Sequence, residues 1–208
     1  MDLIELKQEQ IRLASKIILR DAFSRIKTIG ASVCIPYGKD LLACVVVCEF
    51  PSFQIKEKKT FLLPNPLSPI LGYSAYREMP AIIEAFNQLE EEPDVLFVPG
   101  HGINHPRHFG IASHIGLALQ KPTIGVVEKL SFGSIEQGKI MMNGEMLGFE
   151  VVTREHANPL YISPGNLITF GSVLDIVQKC IKYPHKLPEP LHLAHKLVKK
   201  KAQEMMKK

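Results

Sequence analysis

The densest chemistry in this chain lies in one stretch, Pro93 to Lys129, PDVLFVPGHGINHPRHFGIASHIGLALQKPTIGVVEK. Its pattern predicts a buried strand, a glycine-rich loop, a helix and a second buried strand. The loop holds His101, His105, Arg107 and His108 within eight residues. Open α/β sheets form their sites where strands end and helices begin. Three imidazoles spaced H-x3-H-x2-H suit a transition metal. Loop histidines also hydrogen-bond backbone, and spacing alone favours that plainer reading. Arg107 offers a planar fork for a phosphate, or an anchor tying the loop to Glu78 or the C-terminus. Spacing does not choose between these. Gly100, Gly102, Gly110 and Gly116 permit tight turns and close backbone approach. The first strand ends in Val98-Pro99, where a hydrolytic metal site usually wants an aspartate.

Outside this stretch the chemistry is sparser. Glu78, in YREMP, is an acid early in a helix: a metal ligand, or only a favourable charge near the N-terminal dipole. From spacing alone the dipole reading wins. Ser113-His114 has no aspartate nearby, so a nucleophile pair has little support. His192 and His195 share roughly one helix face, and packing against the core is the plain alternative to a functional role.

These residues need elements to position them. Asp2 to Asp21 reads as an amphipathic helix, with Ile4, Ile11, Ala14 and Ile18 at helical spacing. Ile26–Ile35, Leu41–Phe50 and Gln54–Leu63 read as a three-stranded meander. Ser74–Leu89 reads as a helix that Pro80 kinks or starts. Asp94–Val98 is a short buried strand, Phe109–Gln120 a helix, and Thr123–Val127 another apolar strand. Ile135–Met142 and Leu147–Thr153 flank Asn143-Gly144, a strong hairpin signal. Ile168–Ile181 and a segment from about Leu191 onward read as helices. A meander followed by βαβ connections predicts an α/β fold, a mixed sheet with helices on both sides.

Composition narrows the class. The 208 residues, 46% hydrophobic and 22% charged, fit one globular domain spanning residues 1–208. No apolar run is long enough to span a bilayer, and MDLIELKQEQIRL has no signal-peptide core. Cys34, Cys44, Cys48 and Cys180 form no CxxC pair, so reduced core thiols in a cytoplasmic protein are expected. The net charge of +4 decides little, but its distribution says more. The C-terminal helix and tail, residues 191–208, carry Lys196, Lys199, Lys200, Lys201, Lys207 and Lys208 against a single acid, Glu204. Such a run either follows a phosphate backbone or is a solvated helix end.

Together, HGINHPRHFGIASHIGL, KPTIGVVEK, AYREMP, YISPG and PEPLHLAH resemble the endonuclease V family, in that family's order and approximate spacing. The resemblance spans nearly the whole chain. It implies a ribonuclease-H-like fold, a central mixed β-sheet flanked by α-helices. It also implies DNA-repair chemistry: phosphodiester cleavage near deoxyinosine or inosine with carboxylate-bound Mg²⁺. Glu78 and His195 match retained catalytic positions of the family. The family's first-strand G-V-D falls on Gly30-Ala31-Ser32, so Ser32 replaces a metal-binding aspartate. Its D-G-Q-G falls on Pro99-Gly100-His101-Gly102, so Pro99 replaces a second. Its lysine after I-G-V-A falls on Glu128. Its strand-separating P-Y-I-P falls on Ser68-Pro69-Ile70-Leu71, which lacks the tyrosine, with Tyr73 a nearby substitute.

Mg²⁺ wants carboxylate oxygens in near-octahedral geometry. Ser32 is a poor ligand and Pro99 offers none, so Glu78 alone makes a weak site. The resemblance implies that a base pocket survives, with Gly72, Gly100, Gly102, Ile111 and Gly125 holding an extruded base and His105 and Arg107 beside them. Three readings follow, in this order. The first is a nucleic-acid-binding protein, DNA or RNA, with Mg²⁺-dependent cleavage lost or strongly impaired. The second is an active nuclease whose Glu78 and Glu128, with His101 or His105, bind Mn²⁺ or another transition metal. The third is a non-enzymatic protein-interaction paralogue.

Overall fold

The sheet forms because several segments are apolar on both faces, and each face finds helices to cover it. The computed structural model describes residues 2–207, so Lys208 of the basic tail lies outside it. Strands β1 (Thr28–Tyr37), β2 (Asp40–Glu49) and β3 (Ile55–Leu63) form the expected antiparallel meander. Strand β4 (Val95–Pro99) runs parallel to β1, and β5 (Thr123–Val127) runs parallel to β4. Beyond β5 come β9 (Leu160–Asn166), β8 (Glu145–Val151), β7 (Lys139–Met142) and β6 (Ser134–Glu136), each antiparallel to its neighbour.

Helices α2 (Ser74–Phe86) and α3 (Ile111–Leu119) cover one face, and α4 (Phe170–Lys179) and α5 (Glu189–Met206) the other. The two-residue period of a strand divides the side chains between them. Ile29, Ala31 and Val33 of β1, with Val95 and Phe97 of β4, pack toward α4 and α5. Leu96 and Val98, with Ala43 and Val45, pack toward α2 and α3. Asp94 fixes how β4 enters: its carboxylate accepts the backbone N–H of Lys27 (2.7 Å) and of Thr28 (2.9 Å) at the start of β1.

Three local expectations are corrected, and one strand is found that the sequence reading did not assign. Helix α1 (Leu3–Ala14) stops well before Asp21, and its one buried residue is Gln10. Ile4 and Ile11 stay exposed. The chain after α1 is claimed by tertiary bonds instead: Ile18 N–H donates to Asn166 Oδ1, and Leu167 N–H to the Ile18 carbonyl. Asp21 leaves the helix to accept from Thr169 N–H and the Ser172 hydroxyl at the start of α4. The stretch 135–142 is two strands, not one, because Gln137 and Gly138 both take positive φ and turn the chain. Strand β9 carries a proline and a glycine that argue against an inner strand. The register shift between Thr123 and Ile124 sets Pro164 and Asn166 opposite successive residues of β5 and leaves Gly165 as a bulge. Finally, Pro80 neither starts nor ends α2, which begins at Ser74. The Asn143-Gly144 turn joins β7 to β8 as expected.

Replacing Asp94 by Ala leaves the N–H groups of Lys27 and Thr28 without their charged acceptor. The expected loss is about 1–3 kcal/mol, read as a lower urea midpoint with an unchanged slope.

Candidate functional site

The loop from Gly100 to Gly110 lies so close to β5 and β9 that side chains would not fit beneath it. A Cβ on Gly102 would stand 2.1 Å from the Pro164 carbonyl oxygen, and one on Gly125 would stand 2.5 Å from the Gly102 nitrogen. Backbone contact is therefore direct, and polar groups lock it. The Gly102 N–H donates to Asn104 Oδ1 and to Ser163 Oγ, both at 3.0 Å. The Ser163 hydroxyl in turn donates to Asn104 Oδ1 at 2.6 Å. Neither Asn104 nor the Ser163 hydroxyl stood out in the sequence.

A second anchor is the carbonyl oxygen of Gly72, in the turn before α2. It accepts from Arg107 Nη2 (2.9 Å), Gln10 Nε2 (3.1 Å) and His105 Nε2 (3.2 Å). Arg107 Nε donates to Gln10 Oε1 at 2.5 Å, and the guanidinium stands 4.5 Å from the Tyr73 ring centroid. Arg107 thus ties the loop down, but to Gly72 and α1 rather than to Glu78 or the C-terminus. Its backbone N–H donates to His105 Nδ1. That leaves the proton on Nε2, the atom facing the Gly72 carbonyl. Burial first, and the Arg107 charge next, push the His105 pKa down to about 4, so the ring is neutral.

Between this turn and the loop lies a cavity of about 190 Å³ lined by Gly72, His101, His105, Ile111 and Phe132, with Leu71 at its edge. Phe132 packs against both imidazoles, at 5.1 Å from His101 and 5.5 Å from His105. It sits in a loop without periodicity, so no sequence signal marked it. A cleft of about 390 Å³ adjoins, lined among others by Pro99, Gly100, Lys129 and His195, and His101 borders both spaces. Lys196 and Lys199 continue the cleft wall along α5. Gly72, His105 and Ile111 thus line the cavity and Gly100 the cleft. Gly102, Gly125 and Arg107 lie behind these surfaces and hold them in place.

The remaining candidates are divided by the sheet. Ala31 of β1 pairs with Phe97 of β4, so Ser32 and Pro99 lie just beyond paired residues of neighbouring parallel strands. Ser32 is fully buried and its hydroxyl has no hydrogen-bond partner. It shares its face of β1 with Cys34, whose thiol lies 3.9 Å from the Glu78 carbonyl. Burial raises the Glu78 carboxyl to a pKa of about 7, against the opposing charge of Arg77. Burial, then Lys199, lowers that of His195. Glu128 is engaged by Lys186 at 2.7 Å. Among the described residues no three His, Cys, Asp or Glu side chains come together as a metal-holding group. Glu78, Glu128 and His101 or His105 are thus not gathered into one group among the described residues. His108 departs from the other loop histidines toward Glu145. His114 lies in the core against Phe109 and Tyr76.

His101, His105 and His114 are all pushed by burial below the ordinary histidine value of 6.5. The unfolded chain takes up these protons near 6.5 and the folded chain only lower. The contribution of these histidines is therefore complete above that value and falls as the pH drops toward about 4. The raised Glu78 carboxyl contributes with the opposite sign over the same window. The difference between wild type and His105→Gln isolates the histidine: on going from about pH 7 to pH 5 in urea unfolding, wild type is expected to lose more stability than His105→Gln.

The comparisons agree with this architecture. Residues 11–196 match the sequence profile of the family described as Endonuclease V. The crystal structure of an endonuclease V from Bacillus subtilis superposes with a TM-score of 0.89 at 28% identity, covering 100% of this chain and 94% of that one. Human ENDOV gives a TM-score of 0.87 at 25% identity, covering 99% of this chain and 100% of that one. Ciona intestinalis endonuclease V, solved with a 24mer DNA containing an inosine followed by a ribo-adenosine, gives 0.85 at 23% identity, with 98% of each chain covered. The mixed sheet with helices on both faces is the ribonuclease-H-like fold. With nine-tenths of its length inside the family profile and this shared architecture, the chain belongs to the endonuclease V family.

Proposed function

We propose that this chain binds inosine-containing nucleic acid and that its Mg²⁺-dependent phosphodiester cleavage is lost or strongly impaired. The observation that carries the reading is a contrast within one small region. The ring-lined cavity and its anchors are fully built, whereas the neighbouring strand positions hold Ser32 and Pro99. An extruded base needs a snug pocket with flat walls and polar edges. Phe132, His101 and His105 supply the walls. Lys129, Lys196 and Lys199 line the adjoining cleft, where they would meet the phosphates of the strand. Leu71, 83% exposed at the cavity edge, is placed to fill the gap left by a base that has swung out. Tyr73 is held beneath Arg107 and is not free for that role.

The family's Mg²⁺ does not fit the residues present. A hard cation needs several anionic oxygens. Pro99 has no ligand atom. The Ser32 hydroxyl is neutral and sealed without a partner. Glu78 is biased toward its neutral form by burial. His195 shares the cleft with Pro99 and lines its wall, and a neutral imidazole is a poor ligand for a hard cation. The chain's own groups bind, orient and exclude water.

The test combines binding and cleavage. With EDTA present, fluorescence anisotropy is expected to show single strands bearing one inosine binding about tenfold tighter than the same strands bearing adenosine. Mg²⁺ is expected to give no product from the wild type. Ser32→Asp with Pro99→Asp is expected to yield Mg²⁺-dependent cutting that Glu78→Gln removes. Clean Mg²⁺-dependent cutting by the wild type, abolished by Glu78→Ala, would refute the reading.

A further inference from the structure

We propose that the notch between α5 and the edge strand β3 binds a phosphomonoester, a compact doubly charged anion held by Lys58, Lys200 and Lys201 with the Thr60 hydroxyl. The notch shares no lining residue with the cavity or the cleft. It stands apart from the nucleic-acid reading and does not depend on it.

The fold builds this notch from two periodicities. Strand β3 is the edge of the sheet, next to β2. Helix α5 packs over β1 and β2 and leaves the same face of β3 open beside it. Thr60 pairs with Cys44 and Lys58 with Val46, and both partners are core residues of the α5 side. The two-residue period therefore turns Lys58 and Thr60 toward α5. On the helix, Leu197, Lys200, Lys201 and Glu204 stand three, four and seven residues apart and share one face. Together with Cys44 these side chains enclose about 200 Å³. The cleft lies beyond the opposite flank of α5, at β4 and β5.

Charge then selects the ligand. Other lysines of β3 are already neutralised, Lys56 by Glu91 at 2.5 Å and Lys59 by Glu57 at 3.1 Å. Lys58 and Lys201 have no acidic partner among the described residues, and Lys200 reaches Glu204 only at 4.0 Å. A lone lysine on an edge strand guards against edge-to-edge pairing. That accounts for Lys58 but not for two more cations on the helix facing it. Beneath them, burial raises the Cys44 thiol to about 11 against the pull of Lys58, so the floor stays neutral and does not repel an anion. A phosphomonoester carries nearly two negative charges at neutral pH and three acceptor oxygens. Three lysines against one glutamate match that charge, and each ammonium has protons to donate. The space suits a phosphoryl group on a short carbon chain and is smaller than the roughly 300 Å³ or more of a pocket for a larger ligand. A backbone phosphodiester carries a single charge and is tethered on two sides, a poorer match to a notch walled by α5 and β3.

The experiment titrates inorganic phosphate, and then glycerol phosphate, into the full chain and follows backbone amide shifts by NMR, with sodium chloride of equal ionic strength as the control. Saturable shifts are expected at Thr60, Leu197 and Lys201 with both phosphates and not with chloride. Lys58→Gln combined with Lys201→Gln is expected to weaken phosphate binding about tenfold or more. Lys59→Gln, which removes a lysine already paired with Glu57, is expected to change it by less than about twofold. Matching thermal melts show that the variants are folded, and binding of inosine-bearing strands is expected to be the same in the double variant as in wild type. Shifts that chloride reproduces overturn the proposal, and so does a double variant that binds phosphate like wild type. An equal loss in Lys59→Gln overturns it as well, since it marks a general effect of surface charge. A single strand without inosine that displaces phosphate, and that itself binds about tenfold more weakly to the double variant, assigns the notch to a nucleic-acid backbone and overturns the phosphomonoester.

Discussion

The carbonyl oxygen of Gly72 is the point on which this site turns. A carbonyl has two lone pairs, yet side-chain donors from Gln10, His105 and Arg107 converge on this one. They come from α1 and from the loop after β4, which are far apart in sequence. The turn can present its oxygen this way because Gly72 sits at φ +79, a conformation that disfavours any side chain. With those bonds made, the turn and the loop face each other at a fixed separation, and the cavity between them exists. The same bonds set the tautomer of His105 and turn Arg107 inward. A residue that looks like a phosphate clamp in isolation becomes a structural tie because its Nε and Nη2 are already committed.

The other side of the cavity depends on close approach. Gly102, Gly125 and Pro164 bring three backbones into direct contact, and Asn104 and Ser163 satisfy the groups that this contact seals from water. The exposed surfaces of this region are therefore backbone and rings whose pKa burial lowers. The lysines line the cleft and the flank of α5, where solvent screens them. In the proposed function, holding a base and meeting a phosphate backbone would be physically separate tasks, since none of the cavity's hydrogen bonds runs through Ser32 or Pro99.

Much of the architecture was legible in the sequence. Thr123–Val127 matched residue for residue, and the meander, the Asn143-Gly144 hairpin and the four sheet-covering helices fell within a few residues of their expected ends. Those segments have one dominant local signal, an apolar run or a turn dipeptide with a strong conformational preference. The misreadings share a cause. The sequence reading assigned no element to β9; Pro164 and Gly165 disfavour a strand, and only pairing with β5 shows that a bulge absorbs them. Helix α1 was drawn too long, and its apolar stripe was expected to be buried. In the fold a glutamine makes its deepest contact while Ile4 and Ile11 face outward.

The site divides along the same line. Residue types at named positions are properties of the sequence alone. The family pattern, the serine at 32, the proline at 99, the glutamate at 78 and the loop glycines were all readable there, because residue identity needs no coordinates. Which glycines line a cavity and which lie beneath it was decided only by tertiary structure, as was the inward turn of Arg107. The same holds for Phe132 joining two imidazoles. Each of these depends on where donors and acceptors from distant segments meet. A sequence specifies what a side chain can bond to. The fold decides which of those bonds are already made and which remain free for a ligand.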